Sequence, residues 1–128
     1  MCYHKTAEIK LIEKIKSVLT EDLLKDKYKG YAHINPTHGH CYAATEALFY
    51  LLKETGISGY RPKRARDYNG VVHWWLENKV NILDPTEDQY RLVGDIPPYS
   101  TGIFGGFLTS TPSKRAKEII RRVRCLDE

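Results

Sequence analysis

Apolar and polar positions alternate along this chain with two different periods. From residue 6 to residue 27 the apolar positions Ile9, Ile12, Ile15, Val18 and Leu19 recur every three or four residues between lysines and glutamates, which predicts an amphipathic surface helix. Thr20-Glu21-Asp22-Leu23 carries a fresh N-cap signal, so a break into two helices is expected there. A turn-rich segment over 29–40 follows, punctuated by Asn35-Pro36 and Gly39. It runs into Ala43, Ala44, Ala47, Leu48, Leu51 and Leu52, apolar at helical spacing and with apolar residues between them. That pattern predicts a buried helix starting at Cys41 and stopped by Gly56.

Beyond Gly56 the period shortens to that of strands. The polar stretch 61–70, with Pro62, Asn69 and Gly70, is expected to be a loop and a candidate lid. Residues 71–76 (Val-Val-His-Trp-Trp-Leu) and 80–83 (Val-Asn-Ile-Leu) are β-branched and aromatic, hence two strands. Further strands are expected at 89–93 and at 105–109, with Pro97-Pro98-Tyr99 as an extended loop between them. Ser110-Thr111-Pro112-Ser113 supplies a cap and an N1 proline for a last amphipathic helix through Ile119, Ile120 and Val123. Helices first, then a small antiparallel sheet, then one helix make an α+β fold. Residues 1–128 suit a single domain.

Composition narrows the setting. A hydrophobic fraction of 41% and a charged fraction of 28% are those of a globular chain rather than a disordered one. No stretch approaches the roughly eighteen apolar residues of a spanning helix, and the N-terminus lacks a leader's apolar core, so a cytoplasmic protein without a membrane partner is expected. Cys2, Cys41 and Cys125 form no C-x-x-C pair and indicate no disulfide framework. Tyr50, Tyr60, Tyr68, Tyr90 and Tyr99 are candidates for lining a cleft, or for amphipathic packing at the core edge. The net charge of +4 is unevenly spread. Residues 61–66 form one basic knot, and Lys114, Arg115, Lys117, Arg121, Arg122 and Arg124 are set against Glu118 alone, a candidate footprint for nucleic acid or else a solvated helix face.

The chemistry concentrates at three positions. A thiol in the first turn of a buried helix meets unpaired N–H groups and the positive end of the helix dipole, which favour thiolate and also suit an oxyanion. If Asn78-Lys79 form a two-residue hairpin turn, His73 lies directly opposite Asp84, and their side chains share a face. Lys79 is a poor residue for the positive φ that such a turn demands, and a one-residue slip would separate the pair. Cys41, His73 and Asp84 then supply nucleophile, base and orienter. The plain alternatives are a core cysteine, a core-edge histidine and a turn aspartate. His38, His40 and Cys41, with His73 or Asp84, also offer zinc-donor types, though three donors crowd into four residues.

The segments Asn35-Pro36-Thr37-His38-Gly39-His40-Cys41 through Ala44, His73-Trp74-Trp75, and Asp84-Pro85-Thr86-Glu87-Asp88-Gln89-Tyr90 resemble those of the YunG-like family of small bacterial and phage proteins. That family resembles papain-like thiol hydrolases of the NlpC/P60 and transglutaminase-like type. The resemblance covers roughly residues 33 to 92. It implies a papain-like core with Cys41 as nucleophile, His73 as base and Asp84 as orienter, acting on an amide, peptide or thioester bond of a small-molecule or peptide substrate. No cofactor is implied. His40, Asn35, Trp75 and Gln89 are candidates for oxyanion or substrate binding; relatives often carry glutamine where this chain has His40. The competing readings are a non-catalytic module that binds nucleic acid or protein through its basic tail, and the zinc site.

Overall fold

The computed structural model describes residues 6–24 and 40–126. Among them are four helices, α1 (Ala7–Val18), α2 (Cys41–Glu54), α3 (Asp88–Arg91) and α4 (Lys114–Cys125), and four strands, β1 (Arg61–Arg66), β2 (Val72–Glu77), β3 (Ile82–Leu83) and β4 (Ile103–Phe104). The strands form one sheet in the order β3-β2-β1-β4, with every pairing antiparallel. The class is α+β, as the pattern of helices and strands implies. None of the described helices is long and apolar enough to cross a membrane.

Helix α2 is the centre of the core. Its Ala43, Ala44, Ala47, Leu48, Leu51 and Leu52 are buried against Ile15 and Val18 of α1, Leu76 and Leu83 of the sheet, and Ala116, Ile119, Ile120 and Val123 of α4. The alanines keep this helix thin, so neighbours approach on several sides without leaving voids. The helix ends as the sequence predicts: Gly56 takes φ 80°, and the Gly56 and Ile57 N–H groups bond the carbonyls of Lys53 and Leu52, a Schellman cap. At the N-terminal side α1 stops at Val18 and a single 3-10 turn, Glu21–Leu23, follows the N-cap Thr20, so the expected break is present. The remainder of that segment, the 29–40 loop up to His40, and Cys2 lie outside the described residues.

Three strand expectations are corrected. Stretch 61–66 is no loop and no lid: it is β1, an inner strand paired along its length with β2, from Arg61 opposite Glu77 to Arg66 opposite Val72. Its basic residues hid the strand because they are accommodated by their neighbours' chemistry rather than by burial of apolar side chains. Arg61 and Lys63 lie over the Phe104 ring, Arg64 lies over Trp74, and Lys63 bonds Glu77 at 2.8 Å. Pro62 is tolerated because β4 covers only Lys63 and Arg64, which leaves little demand for the missing N–H. Residues 89–93 are not a strand, since Asp88–Arg91 is the helical turn α3. The fourth strand is Ile103–Phe104 rather than 105–109. At α4 the N-cap is Ser113, whose hydroxyl accepts from the Ala116 N–H at 3.3 Å, so Pro112 precedes the cap instead of following it.

The β2–β3 hairpin also differs in register. Leu76 pairs with Leu83 and Glu77 with Ile82, leaving a four-residue connection, 78–81. A two-residue turn of the favoured type needs φ > 0 at both positions, and no described non-glycine residue has positive φ. Asn78 shapes the longer loop instead: its Oδ1 accepts from the N–H groups of Val80 and Asn81 at 2.9 and 2.7 Å. Relative to the expected pairing the slip is two residues, not one. Position 84 therefore falls opposite 75 rather than 73, yet on the same face, and diagonal neighbours remain within reach of long side chains.

Candidate functional site

Residues of β2 alternate between two covered faces. Trp74 and Leu76 face α2, where Trp74 meets the Tyr42 ring edge-on at 5.0 Å and its carbonyl accepts from the Thr45 hydroxyl at 3.1 Å. His73 and Trp75 share the opposite face and stack at 5.7 Å. Helix α2 is thus pinned to β2 with its first residue at the strand's start, and the Cys41 sulfur lies 3.6 Å from the Val72 carbonyl. That anchoring brings a helix-start thiol beside the strand that carries the histidine.

His73 is fully buried and bonds the Asp84 carboxylate, Nε2 to Oδ2, at 2.6 Å. Asp84 accepts from three further donors. The Tyr99 hydroxyl donates to Oδ2 at 2.7 Å, and the Thr86 N–H and hydroxyl approach Oδ1 at 3.0 and 3.4 Å. A carboxylate so satisfied keeps its position without needing water. The other ring nitrogen of His73, Nδ1, lies 2.9 Å from the Gln89 side-chain nitrogen. The edge of the Tyr90 ring closes on the imidazole at 4.8 Å, with the Tyr90 hydroxyl held by Asp67 at 2.8 Å.

These contacts set the proton affinity of the ring. Burial is the largest influence on His73 and opposes its charge, but hydrogen bonds to Asp84 and Cys41, with Coulombic attraction to both, outweigh it and raise the pKa from 6.5 to about 9. The two tyrosines behave differently. Burial, reinforced for Tyr99 by the charge and hydrogen bond of Asp84 and for Tyr90 by the hydrogen bond and charge of Asp67, pushes both hydroxyls far above their ordinary 10.0, so they remain donors.

Of the residues singled out from the sequence, Cys41, His73 and Asp84 converge, and Gln89 and Trp75 contact the same imidazole. Gln89 is on the ring nitrogen rather than at the α2 N-terminus, and Trp75, with no exposed surface, backs His73 while its own indole N–H bonds Glu77 at 3.1 Å. His40 is the N-cap of α2, fully buried, with no side-chain bond to the helix start. Asn35 and His38 lie outside the described residues, and among the described ones no group of three His, Cys, Asp or Glu is arranged to hold a metal ion.

Thr86 was missed by sequence reasoning, and Tyr99 stood only as one of five tyrosines open between lining a cleft and packing at the core edge; neither was linked to Asp84. Thr86 follows Asp84 at the spacing of an Asx turn, which is a usable local signal. Tyr99 has none: it arrives from fifteen residues downstream through a 3-10 turn, Tyr99–Thr101, that rests on Trp75 at 5.1 Å. Of the five tyrosines singled out from the sequence, Tyr60 bonds Glu8 and Asn81, Tyr50 bonds the Ser110 carbonyl, and Tyr68 is fully exposed, which leaves Tyr90 and Tyr99 at the site.

The basic tail is largely committed within the molecule. Arg121 and Arg122 bond Glu118, Arg122 also reaches Asp22 and the Val18 carbonyl, Arg124 pairs with Glu54, and Arg115 bonds the Leu23 carbonyl at 3.4 Å. Lys114 and Lys117 are exposed.

A helix-start thiol beside a buried imidazole that is bonded to a carboxylate is an arrangement competent for covalent acyl chemistry. Comparison of the chain with protein-family models, with curated proteins and with solved structures returned no match.

Proposed function

We propose that this chain is a papain-like thiol hydrolase or acyl transferase, related to the YunG-like family and acting on an amide, peptide or thioester carbonyl through Cys41, His73 and Asp84. The observation that carries the reading is His73, buried between a carboxylate at 2.6 Å on Nε2 and the Cys41 thiol, with a pKa raised to about 9. A histidine filling a core would not combine a buried carboxylate partner with contact to a helix-start cysteine.

In this reading the Cys41 proton already rests on His73 as an ion pair, because the His73 pKa is raised to about 9, and the thiolate attacks the carbonyl carbon. Electrons move onto the carbonyl oxygen, which faces the N–H groups that the first turn of α2 cannot satisfy internally. Collapse of that intermediate expels the amine or thiol leaving group, protonated by His73, and leaves an acyl group on sulfur. Water or a second nucleophile, deprotonated by His73, then releases the acyl group. Asp84 keeps Nε2–H donated and compensates the imidazolium charge throughout.

The test uses an activated ester, p-nitrophenyl acetate, and mass spectrometry of the protein. Acylation at Cys41, faster than at the exposed Cys125 and reduced by about 10²-fold or more in a folded His73→Ala protein, supports the reading. Equal modification of Cys41 and Cys125, unaltered by His73→Ala, overturns it.

A further inference from the structure

The contacts around His73 close into a ring. His73 Nε2 meets Asp84 Oδ2 at 2.6 Å, Asp84 Oδ1 meets the Thr86 hydroxyl at 3.4 Å, that hydroxyl meets the Gln89 side-chain nitrogen at 3.2 Å, and the same nitrogen returns to His73 Nδ1 at 2.9 Å. With Nε2 committed to Asp84, Nδ1 is the nitrogen left for the Cys41 thiol, and Gln89 already stands on it. By a half-turn about its last bond an amide can present either a donor or an acceptor to the same neighbour.

The ring can be satisfied in two senses. When the imidazole is neutral, Nε2–H donates to Asp84 and Nδ1 is a lone pair. The Gln89 –NH2 then donates to Nδ1 and to Thr86, whose hydroxyl donates to Asp84. When the imidazole carries a second proton, Nδ1–H is a donor and would collide with –NH2. A half-turn of the terminal amide brings the Gln89 carbonyl to Nδ1–H, and the Thr86 hydroxyl then turns from Asp84 to donate to that carbonyl. Between the two senses only the Gln89 amide nitrogen and oxygen exchange places.

We propose that Gln89 is a positioning residue whose side-chain amide reverses with the charge of His73, holding Nδ1 open as an acceptor while the ring is neutral and accepting from Nδ1–H once the ring has taken the Cys41 proton. This rests on the thiol reading of the site for its use, though not for its measurement. The reaction requires Nδ1 to give up its proton and regain one in each turnover. A fixed acceptor there would trap the proton on the ring, and a fixed donor would exclude it. The reversible amide does neither, and it also keeps water from Nδ1, since His73 has no exposed surface. The Gln89-Thr86 spacing of three places both side chains on one side of the α3 entry, where the Gln89 N–H also bonds the Thr86 carbonyl at 3.1 Å. The groups facing the imidazole are thus Cys41 from α2, Asp84 from the end of β3, Gln89 and Tyr90 from α3, with Asp67 behind Tyr90, and Trp75 from its own strand.

Gln89 is only half-buried, so substitutions there are compatible with folding. The readout is the titration midpoint of His73, followed by nitrogen-15 NMR in the full chain. Gln89→Met removes both donor and acceptor; without an acceptor for Nδ1–H the proton affinity of His73 should fall about tenfold, one pH unit. Gln89→Glu can only accept, and the midpoint should rise above that of wild type. Opposite shifts in the two variants, with wild type between them, are the expected result. Unmoved midpoints with changed melting temperatures would make Gln89 a structural residue and overturn the proposal, as would shifts of the same sign. Repeating the titrations in Cys41→Ala protein separates the two ideas. Shifts that persist there while wild-type Cys41 fails to acylate would sink the enzyme reading and leave the amide switch standing; acylation with unmoved midpoints would do the reverse.

Discussion

Replacing Asp84 with asparagine removes the charge that offsets the burial of His73 and should reverse the sign of the protein's pH dependence. In the native protein the His73 pKa is raised from 6.5 to about 9, which amounts to about 3 kcal/mol at about 1.4 kcal/mol for each pH unit. A raised folded-state pKa stabilises fully below 6.5, where the ring is charged in both states. Between 6.5 and about 9 the unfolded chain has lost its proton and the folded one still holds it, so stability declines as pH rises and the contribution is gone above about 9. In Asp84→Asn the largest of the causes raising the pKa, the Asp84 hydrogen bond, loses its charge and the Asp84 Coulombic attraction goes with it, while burial, the largest influence of all and opposed to the charge, stays. The folded-state pKa should then drop below 6.5, the unfolded chain should bind more protons near pH 6, and stability should rise with pH from 5 to 6.5 before levelling. Urea unfolding of both proteins at half-unit intervals from pH 5 to 9 measures this as a difference, so that groups common to both cancel. The same samples report Cys41 acylation, which should fall by about 10³-fold or more because an amide can hold the ring in the wrong tautomer. If the two stability curves run parallel between pH 6.5 and 9 and acylation is unchanged, Asp84 is a turn residue ahead of Pro85, and the coupling argued from the 2.6 Å contact is refuted.

The other predictions concern the supports of the site. A Cβ on Gly102 would collide with the Trp75 ring, so Gly102→Ala should destabilise by about 1–3 kcal/mol and lift the Tyr99–Thr101 turn from Asp84; thermal melts and a fall in the His73 midpoint or a loss of Tyr99 protection are the checks, and an unchanged melt refutes the close fit. Tyr99→Phe should keep the fold, since the ring still packs on Trp75, but should slow Cys41 acylation by loosening Asp84; an unchanged rate removes Tyr99 from the site. Arg122→Ala should lower the melting temperature more than Arg121→Ala does, because Arg122 ties α4 to the Val18 carbonyl, Thr20 and Asp22, whereas Arg121 bonds only groups on its own helix. Elemental analysis of protein purified without added metal should show zinc well below one equivalent, since Asp84 and Gln89 already occupy both nitrogens of His73; near-stoichiometric zinc lost in His40→Ala would favour the metal reading.

Local pattern determined much of this protein. Helix α2 was legible from its first residue to its glycine cap because a buried helix has a dense apolar period and Gly56 has a conformation that other residues avoid. Cys41 at its start, His73 on a strand and Asp84 on the next, just before Pro85, were visible as residue types in telling places. Strand β1 was not visible, because the cations of Arg61, Lys63 and Arg64 rest on aromatic rings and a carboxylate supplied by other strands, and no hydrophobic alternation marks such a strand. The hairpin count found the right pair through the wrong register, and the pair survived because side chains repeat every two residues in a strand. What only the tertiary structure decided is the environment of His73: that Tyr99 reaches back to Asp84, that Gln89 stands on Nδ1, and that Trp75 and Tyr90 shut the imidazole away from solvent. A sequence fixes which groups are present and their local geometry, but proton affinity depends on burial and on the charges beside a group, and these come from segments that meet only when the chain is folded.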